Sequence, residues 1–220
     1  MNTGATKRVL CFWDSNTWWY TSWTDHHRLP STKRWTGILQ SILWESFEII
    51  EEWLNSRTIS NQDPRPWKEW RNADIYLSPC LDSHDPIDIV ILLLWTNELK
   101  GIYKDNQNWV FEVFKNQIIE EIINKKSQFL KTSPQLIWIL LPRINKETEY
   151  AKSRWYNNWT DIRRKQFNAT YLELSKKQWF NVIDSDAIWL EPWIDWVHLN
   201  EESHQLLAHH LSSLILSTLL

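Results

Sequence analysis

The sequence predicts an α/β fold, a three-layer α/β/α sandwich around a five-stranded, parallel, flavodoxin-like sheet. Short apolar runs rich in β-branched residues recur along the chain, and segments with helical spacing of apolar residues separate them. One run, residues 88–94, is apolar after its first position, as expected for a central parallel strand buried on both faces. At 220 residues the chain suits one domain, residues 1–220.

The elements follow each other in the order that a parallel sheet requires. Strands are predicted at residues 9–12, 47–51, 88–94, 135–141 and 180–183. Helices are predicted from an N-cap at Ser31, over 110–130, over 161–178 and from Asn200 to the end. The remaining segments, at 17–30, 64–72 and 144–160, are expected to be loops, the last of them on the substrate side. Three histidines of the last helix are expected at surface or half-buried positions: His204, His209 and His210.

Charge and composition restrict the classes of function. The net charge is −3 with acids and bases interspersed, so no basic face that would bind nucleic acid is expected. The longest apolar run, residues 89–95, is far too short for a bilayer, and the polar first residues show no secretory signal. Cys11 and Cys80 suggest core thiols and no disulfide framework. A cytoplasmic protein without membrane contact is expected.

Polar residues with catalytic potential follow the predicted strands. Ser15 comes directly after the first strand, where α/β sheets place their ligands, and is a candidate nucleophile. A base and an orienting acid are available in Asp195-Trp-Val-His198, and Asn97 after the central strand offers an oxyanion donor. Since parallel strands bring their carboxyl ends to one edge, these segments are expected to meet.

These three segments, in this order, resemble the SGNH/GDSL family of serine esterases. The family's first block reads Gly-Asp-Ser, its third Gly-x-Asn-Asp and its last Asp-x-x-His. The chain is most similar to the short-chain arylesterase and acyltransferase branch, whose opening runs close to Leu-Cys-Phe-Gly-Asp-Ser-x-Thr-Trp-Gly. The likeness continues at residues 34–37, 51–58 and 76–80, and it covers nearly the whole chain.

The resemblance implies a serine esterase that hydrolyses short-chain acetyl or aryl esters through an acyl-enzyme, with transfer to alcohols as a further option. Ser15 would attack, His198 would act as the base, and Asp195 would orient it. The oxyanion would be met by the backbone N–H groups of Ser15 and Trp53 and by the Asn97 amide.

The resemblance also implies the surroundings of the site. Trp18 and Asn55 are expected to shape a small acyl pocket, although a core position is an equal alternative for Trp18. No cofactor and no metal is needed, and His26 and His27 fit a solvated loop better than a metal site. The expected partner is a small-molecule ester. Related acyltransferases assemble into oligomers, so a homo-oligomer stays open.

Tryptophan and glycine have abnormal frequencies. The chain has 18 Trp and 3 Gly, where ordinary usage predicts roughly 15 Gly. Four Trp fall where the family motifs have glycine: Trp13, Trp53, Trp95 and Trp196. Seven others lie at turn-like or helix-end positions, where glycine supplies positive φ or close backbone approach. These are Trp19, Trp44, Trp109, Trp159, Trp179, Trp189 and Trp193. Trp18 and Trp35 match positions where the branch itself carries Trp.

Our hypothesis is that a UGA codon meaning glycine in the source has been translated as tryptophan. Deliberate replacement of glycine is the other explanation. The codons of the gene decide between them, because GGN or TGG codons at positions 13, 53, 95 and 196 would contradict recoding.

Two other functions stay open. The first is a non-catalytic, flavodoxin-like domain that binds a small ligand, which the lack of a phosphate-cradling loop disfavours even with glycines restored. The second is an inactive Gly-to-Trp form of the esterase, since Trp13, Trp53 and Trp95 would crowd the strand ends. Glu98 stands where the family commonly has Asp, and little effect is expected.

Overall fold

A five-stranded parallel sheet forms the centre of the molecule, in a computed structural model that describes residues 6–18 and 28–219. The strands are β1 (Lys7–Trp13), β2 (Phe47–Trp53), β3 (Ile89–Leu93), β4 (Gln135–Ile139) and β5 (Asn181–Ile183). Their order is β2-β1-β3-β4-β5, and every pairing is parallel. This confirms the predicted flavodoxin-like α/β class. The expectations for Trp19, His26 and His27 lie outside the described residues.

Helices cover both faces of the sheet. They are α1 (Ser15–Trp18), α2 (Trp35–Leu43), α3 (Ala73–Ser83), α4 (Gln107–Val113), α5 (Glu120–Asn124), α6 (Glu149–Ser153), α7 (Trp159–Gln178) and α8 (Glu201–Leu219). Buried residues form two clusters, one with α3, α4 and α7 and the other with α2 and α8. Among the described residues no helix has the length and apolarity to cross a bilayer.

The three strands nearest the site end at the same level. Trp13 pairs with Trp53 on one side and with Leu93 on the other. The residues that follow each of these strands therefore emerge together at one edge of the sheet. β3 is buried at all five positions, as its continuous apolar run predicted.

Several helix boundaries differ from the predictions. Ser31 begins a short 3-10 turn, and α2 starts only at Trp35 after Arg34. The helix predicted over 110–130 starts earlier and ends earlier, because α4, a π-helical stretch (Phe114–Ile119) and α5 together stop at Asn124. Helix α3 was not predicted, since Pro79 in its interior disguises the helical pattern.

Buried polar side chains link the helical layer to the sheet. His204 of α8 is fully buried and accepts a hydrogen bond from the Trp35 N–H at 3.2 Å, so the predicted surface or half-buried position is wrong. Burial, together with the charges of His198 and Arg34, lowers the pKa of His204 to about 3. The predicted core position of both cysteines is confirmed, because each is a buried free thiol.

Tryptophan dominates the left-handed backbone positions. Ten described residues other than glycine have positive φ, and eight of them are Trp: Trp44, Trp67, Trp70, Trp95, Trp155, Trp179, Trp189 and Trp196. No described glycine has a positive φ. The expectation of positive φ is met at Trp95, Trp196 and three of the turn positions, but Trp13 and Trp53 are ordinary strand residues. Left-handed φ is unusual for bulky residues and normal for glycine. This supports glycine as the original residue at these turns.

Candidate active site

Ser15, His198 and Asp195 form a continuous hydrogen-bonded chain at the carboxyl edge of the sheet. Ser15 opens α1 one residue after Asp14, and its Oγ lies 2.9 Å from Nε2 of His198. Nδ1 of the same imidazole lies 2.7 Å from Oδ2 of Asp195. The structure thus brings together the three residues that the sequence predicts as nucleophile, base and acid.

Asp195 is held as a carboxylate by its surroundings. Its side chain is fully buried, and its second oxygen accepts the backbone N–H groups of Val197 and His198 at 2.9 and 3.0 Å. Burial alone would raise the pKa of Asp195, but the charge and hydrogen bonds of His198 and the Val197 N–H outweigh it and lower the pKa. Trp196, with φ 59°, makes the turn that lets this carboxylate face the imidazole.

Asn16 ties the first and last segments of the site together. Its side-chain oxygen accepts the backbone N–H of Leu199 at 3.1 Å, and its own backbone N–H donates to Asp14 at 3.0 Å. Because Leu199 directly follows His198, this bond sets the distance between the Ser15 turn and the imidazole. No role had been predicted for Asn16, although its place beside Ser15 is a signal that could have indicated one.

Asn97 also reaches the site. It lies in the 3-10 turn Thr96–Leu99, which the left-handed Trp95 (φ 102°) starts directly after β3. Its amide nitrogen donates to the carbonyl oxygen of Arg57 at 3.0 Å, and the side chain lines a cavity that Ser15 also lines. One amide hydrogen is thereby fixed on Arg57, and the second has no acceptor among the described residues.

Trp53, the residue predicted to donate its N–H to the oxyanion, does not line this cavity. It ends β2, and its ring lies 4.4 Å from the guanidinium carbon of Arg28. The wall beside Ser15 is formed instead by the following turn, where Asn55 and Ser56 both line the cavity. Ser56 has φ 64°, a left-handed conformation that reverses the chain here.

Two buried charged residues, neither of them predicted, fix that turn. Arg57 is 2% exposed, stacks its guanidinium 3.9 Å from the Phe12 ring, and donates to the carbonyl oxygens of Trp13 and Glu52 at 3.1 and 2.7 Å. Burial lowers the pKa of Arg57 to about 10. Its contacts connect the turn to the ends of β1 and β2.

Glu98 is the second of these residues. It is fully buried and accepts the Ile59 N–H at 2.5 Å and the Asn61 amide. Burial raises the pKa of Glu98, against the opposing hydrogen bonds of this segment. The longer side chain at this family aspartate position therefore holds the segment after the Ser56 turn against the segment that carries Asn97.

The cavity in front of Ser15 has a volume of about 180 Å³. Tyr150 and Tyr156 from the predicted substrate-side loop line it, together with four basic residues, Arg65, Lys68, Lys100 and Arg154. Asn55 was predicted to shape the pocket, and its buried Oδ1 has no hydrogen-bond partner among the described residues. The side chain of Trp18, the other predicted pocket residue, lies outside the described part of the chain.

Two other features lie apart from this cavity. A larger one, about 650 Å³, lies between α4 and α7 and includes none of the predicted catalytic residues, so volume alone does not mark the site. Among the described residues, ligand atoms of Glu52, Cys80 and His84 lie within 4.8 Å of one another, close enough to hold a metal ion. His84 Nε2 and Glu52 already form a 2.8 Å hydrogen bond there, which accounts for the cluster without an ion.

Comparison with known proteins agrees with this geometry. The GDSL-like lipase/acylhydrolase family matches residues 10–211. Est24, a carbohydrate acetylesterase from Sinorhizobium meliloti, is similar in structure with a TM-score of 0.84 and 24% identity, over 97% of this chain and 100% of that one. The aryl esterase of M. smegmatis has a TM-score of 0.80 and 25% identity, over 96% and 99%.

A more distant structure is a member of the lipolytic protein G-D-S-L family from Veillonella parvula, with a TM-score of 0.66 and 16% identity over 98% of this chain and 100% of that one. No curated protein matches the chain. The family match covers most of the chain, and the sheet edge carries a serine, an asparagine, an aspartate and a histidine in the family's order. The chain therefore belongs to the GDSL-like lipase/acylhydrolase family and is a carboxylic ester hydrolase of the SGNH/GDSL type.

Proposed function

We propose that the protein hydrolyses short-chain acyl esters through a Ser15–His198–Asp195 triad and an acyl-enzyme. The observation that carries this proposal is the pair of bonds on one imidazole, 2.9 Å to the Ser15 hydroxyl and 2.7 Å to the Asp195 carboxylate. A nucleophile and a base within hydrogen-bond reach, with the base oriented by a third group, is the arrangement that acyl transfer requires.

In the first half of the reaction the Ser15 Oγ–H proton moves to Nε2 of His198 as Oγ bonds to the ester carbonyl carbon. The tetrahedral intermediate collapses, the alcohol oxygen takes the proton from Nε2, and the acyl group stays on Ser15. Water then gives a proton to Nε2 and attacks the acyl carbon. Collapse returns the proton to Ser15 and releases the carboxylic acid.

The oxyanion is stabilised, in this proposal, by three donors. They are the backbone N–H of Ser15, the backbone N–H of Ser56 and the free hydrogen of the Asn97 amide. Ser56 takes the role predicted for Trp53, since Ser56 lines the cavity and Trp53 does not. Loss of one such donor costs about 3–4 kcal/mol of barrier in other hydrolases.

The small cavity favours a short acyl group. Its 180 Å³ is well below the ~300 Å³ at which drug-sized pockets begin. One similar structure is named a carbohydrate acetylesterase, and the acetyl group is a short acyl group. An alcohol that replaces water in the second step would make the protein an acyltransferase by the same chemistry.

The test is the initial rate of p-nitrophenyl acetate hydrolysis by the unmodified chain and by Ser15→Ala. The variant is expected to lose several orders of magnitude in kcat, up to about 10⁶-fold, because it removes the nucleophile. A fluorophosphonate should label the unmodified protein at Ser15 and leave Ser15→Ala unlabelled.

The matched control is Ser41→Ala, which removes an exposed hydroxyl that bonds only its own helix. It should keep the full rate. Equal rates for Ser15→Ala and the unmodified protein, with no labelling, would overturn the proposal and favour a ligand-binding domain or an inactive form.

A further inference from the structure

The wall of the Ser15 cavity carries an excess of positive charge. Arg65, Lys68, Lys100 and Arg154 line it, and no aspartate or glutamate of the described residues does. These four come from three segments that are far apart in sequence, so the accumulation arises from the fold and not from a local basic run. A cavity lined by one sign of charge with apolar surroundings focuses its field on what it binds.

Lys100 is the most unusual of the four. It is 3% exposed, and its ammonium makes no hydrogen bond or ion pair within residues 6–18 and 28–219. Burial and the charge of Arg65 lower the pKa of Lys100 to about 8, against the opposing charges of Asp63, Asp14 and Glu98. A buried charge without a partner is costly, and proteins usually pair such groups.

Of the other three cations, Arg65 is neutralised by an ion pair, and Lys68 and Arg154 have no carboxylate partner among the described residues. Arg65 is paired with Asp63, which its Nε contacts at 2.8 Å, and it also donates to Ser56 Oγ at 2.8 Å. Lys68 has no carboxylate partner among the described residues, and Arg154 stacks 5.3 Å from the Tyr150 ring. Both are half-buried, so their charges act on the cavity with less screening than fully solvated charges would.

We propose that the protein acts on esters that carry an anionic group, a carboxylate or a phosphate, which lies against Lys100, Lys68 and Arg154 while the ester carbonyl faces Ser15. This inference rests on the proposed esterase function and adds the substrate class. A bound anion supplies the partner that the Lys100 ammonium lacks. A neutral ester of the same size leaves that ammonium unpaired, so the charge discriminates between the two.

The experiment compares esters that differ only by a carboxylate and a carboxamide. In the first pair, 4-acetoxybenzoate and 4-acetoxybenzamide, the charge lies in the alcohol half. In the second pair, the 4-nitrophenyl esters of glutaric acid and of glutaramic acid, it lies in the acyl half. We expect kcat/KM to be at least about 10-fold higher for the anionic member of one pair, which also identifies the half that meets the cations. Added salt should reduce that ratio.

Variants connect the preference to the cavity. Lys100→Met should bring the ratio to about 1, and Arg154→Gln, at a half-buried position, should reduce it. Lys104→Met removes the same charge from an exposed position outside the cavity and should leave the ratio unchanged.

Two outcomes would overturn the inference: no anionic preference in either pair, or a preference that survives both Lys100→Met and Arg154→Gln. Ser15-dependent hydrolysis of the neutral esters without charge preference would reject only the substrate class. Hydrolysis that Ser15→Ala does not affect would reject the esterase proposal itself.

Discussion

Trp138 and Trp179 carry the same side chain at positions that make opposite demands. Trp138 lies in β4, is 1% exposed, and packs with ring centroids 4.0 Å from Tyr171 and 5.0 Å from Phe114. Trp179 directly follows α7 with φ 59° and is 93% exposed. The first position needs a large apolar side chain, and the second needs a left-handed backbone, for which an indole gives no advantage.

Trp95, next to the candidate active site, combines the left-handed backbone of Trp179 with the buried ring of Trp138. Its φ of 102° turns the chain from β3 toward Asn97, yet its ring is fully buried 3.9 Å from the Phe167 ring. Its indole N–H has no acceptor among the described residues, and neither has that of Trp13. Buried unpaired donors cost about 1–3 kcal/mol each, so these two sites combine packing with a polar penalty.

The largest effect is expected at Trp138. Trp138→Ala should lower the free energy of unfolding by about 3–5 kcal/mol, because it removes a buried aromatic ring. Trp138→Phe should cost less than the alanine variant, since it keeps an aromatic ring in the core and removes an indole N–H that has no acceptor among the described residues. Urea unfolding measures both. A small loss of stability for the alanine variant would show that the buried ring of Trp138 contributes as little as the exposed indoles at the turns.

A gain in stability is expected at Trp44. This exposed residue follows α2 with φ 54° and ψ −149°, a region that is almost exclusive to glycine. Trp44→Gly should raise the free energy of unfolding by about 1–3 kcal/mol. Trp44→Ala is the matched control: it removes the same indole but keeps Cβ, so it should gain much less. Equal gains would show that the indole, and not the backbone, is the source of strain.

The smallest changes in stability are expected at two exposed tryptophans, Trp179 and Trp109, and they should have opposite signs. Trp179→Gly should stabilise the protein by about 1 kcal/mol, since the left-handed C-terminal position favours glycine. Trp109→Gly, at an exposed position with ordinary helical backbone in α4, should destabilise it by about 0.5–1 kcal/mol. Thermal unfolding of the two variants side by side is sufficient. The same sign for both would contradict the division by backbone geometry.

The sequence predicted the sheet and the convergence of Ser15, Asn97 and His198, because apolar runs mark strands and parallel strands share an edge. It did not identify Ser56. The match to the family's glycine positions points to Trp53. The residue that lines the cavity lies three positions later, in a turn, and a turn leaves no periodic pattern in the sequence. The roles of Arg57 and Glu98 depend on buried contacts with distant segments, which no local pattern records.

The cationic wall was missed for a similar reason. Its members stand at positions 65, 68, 100 and 154, where each reads as an ordinary surface charge. Only the fold shows that they line one cavity with Ser15.

The bonds from Ser15 to His198 and from Leu199 to Asn16 each join residues 183 positions apart. During synthesis the proposed nucleophile therefore emerges from the ribosome long before the proposed base. A nascent chain or a truncated product that lacks residues 195–220 thus carries the serine without the imidazole. The contact between the serine and the imidazole therefore forms only after the strands between them have been made, and a fragment that ends before residue 195 should not hydrolyse esters.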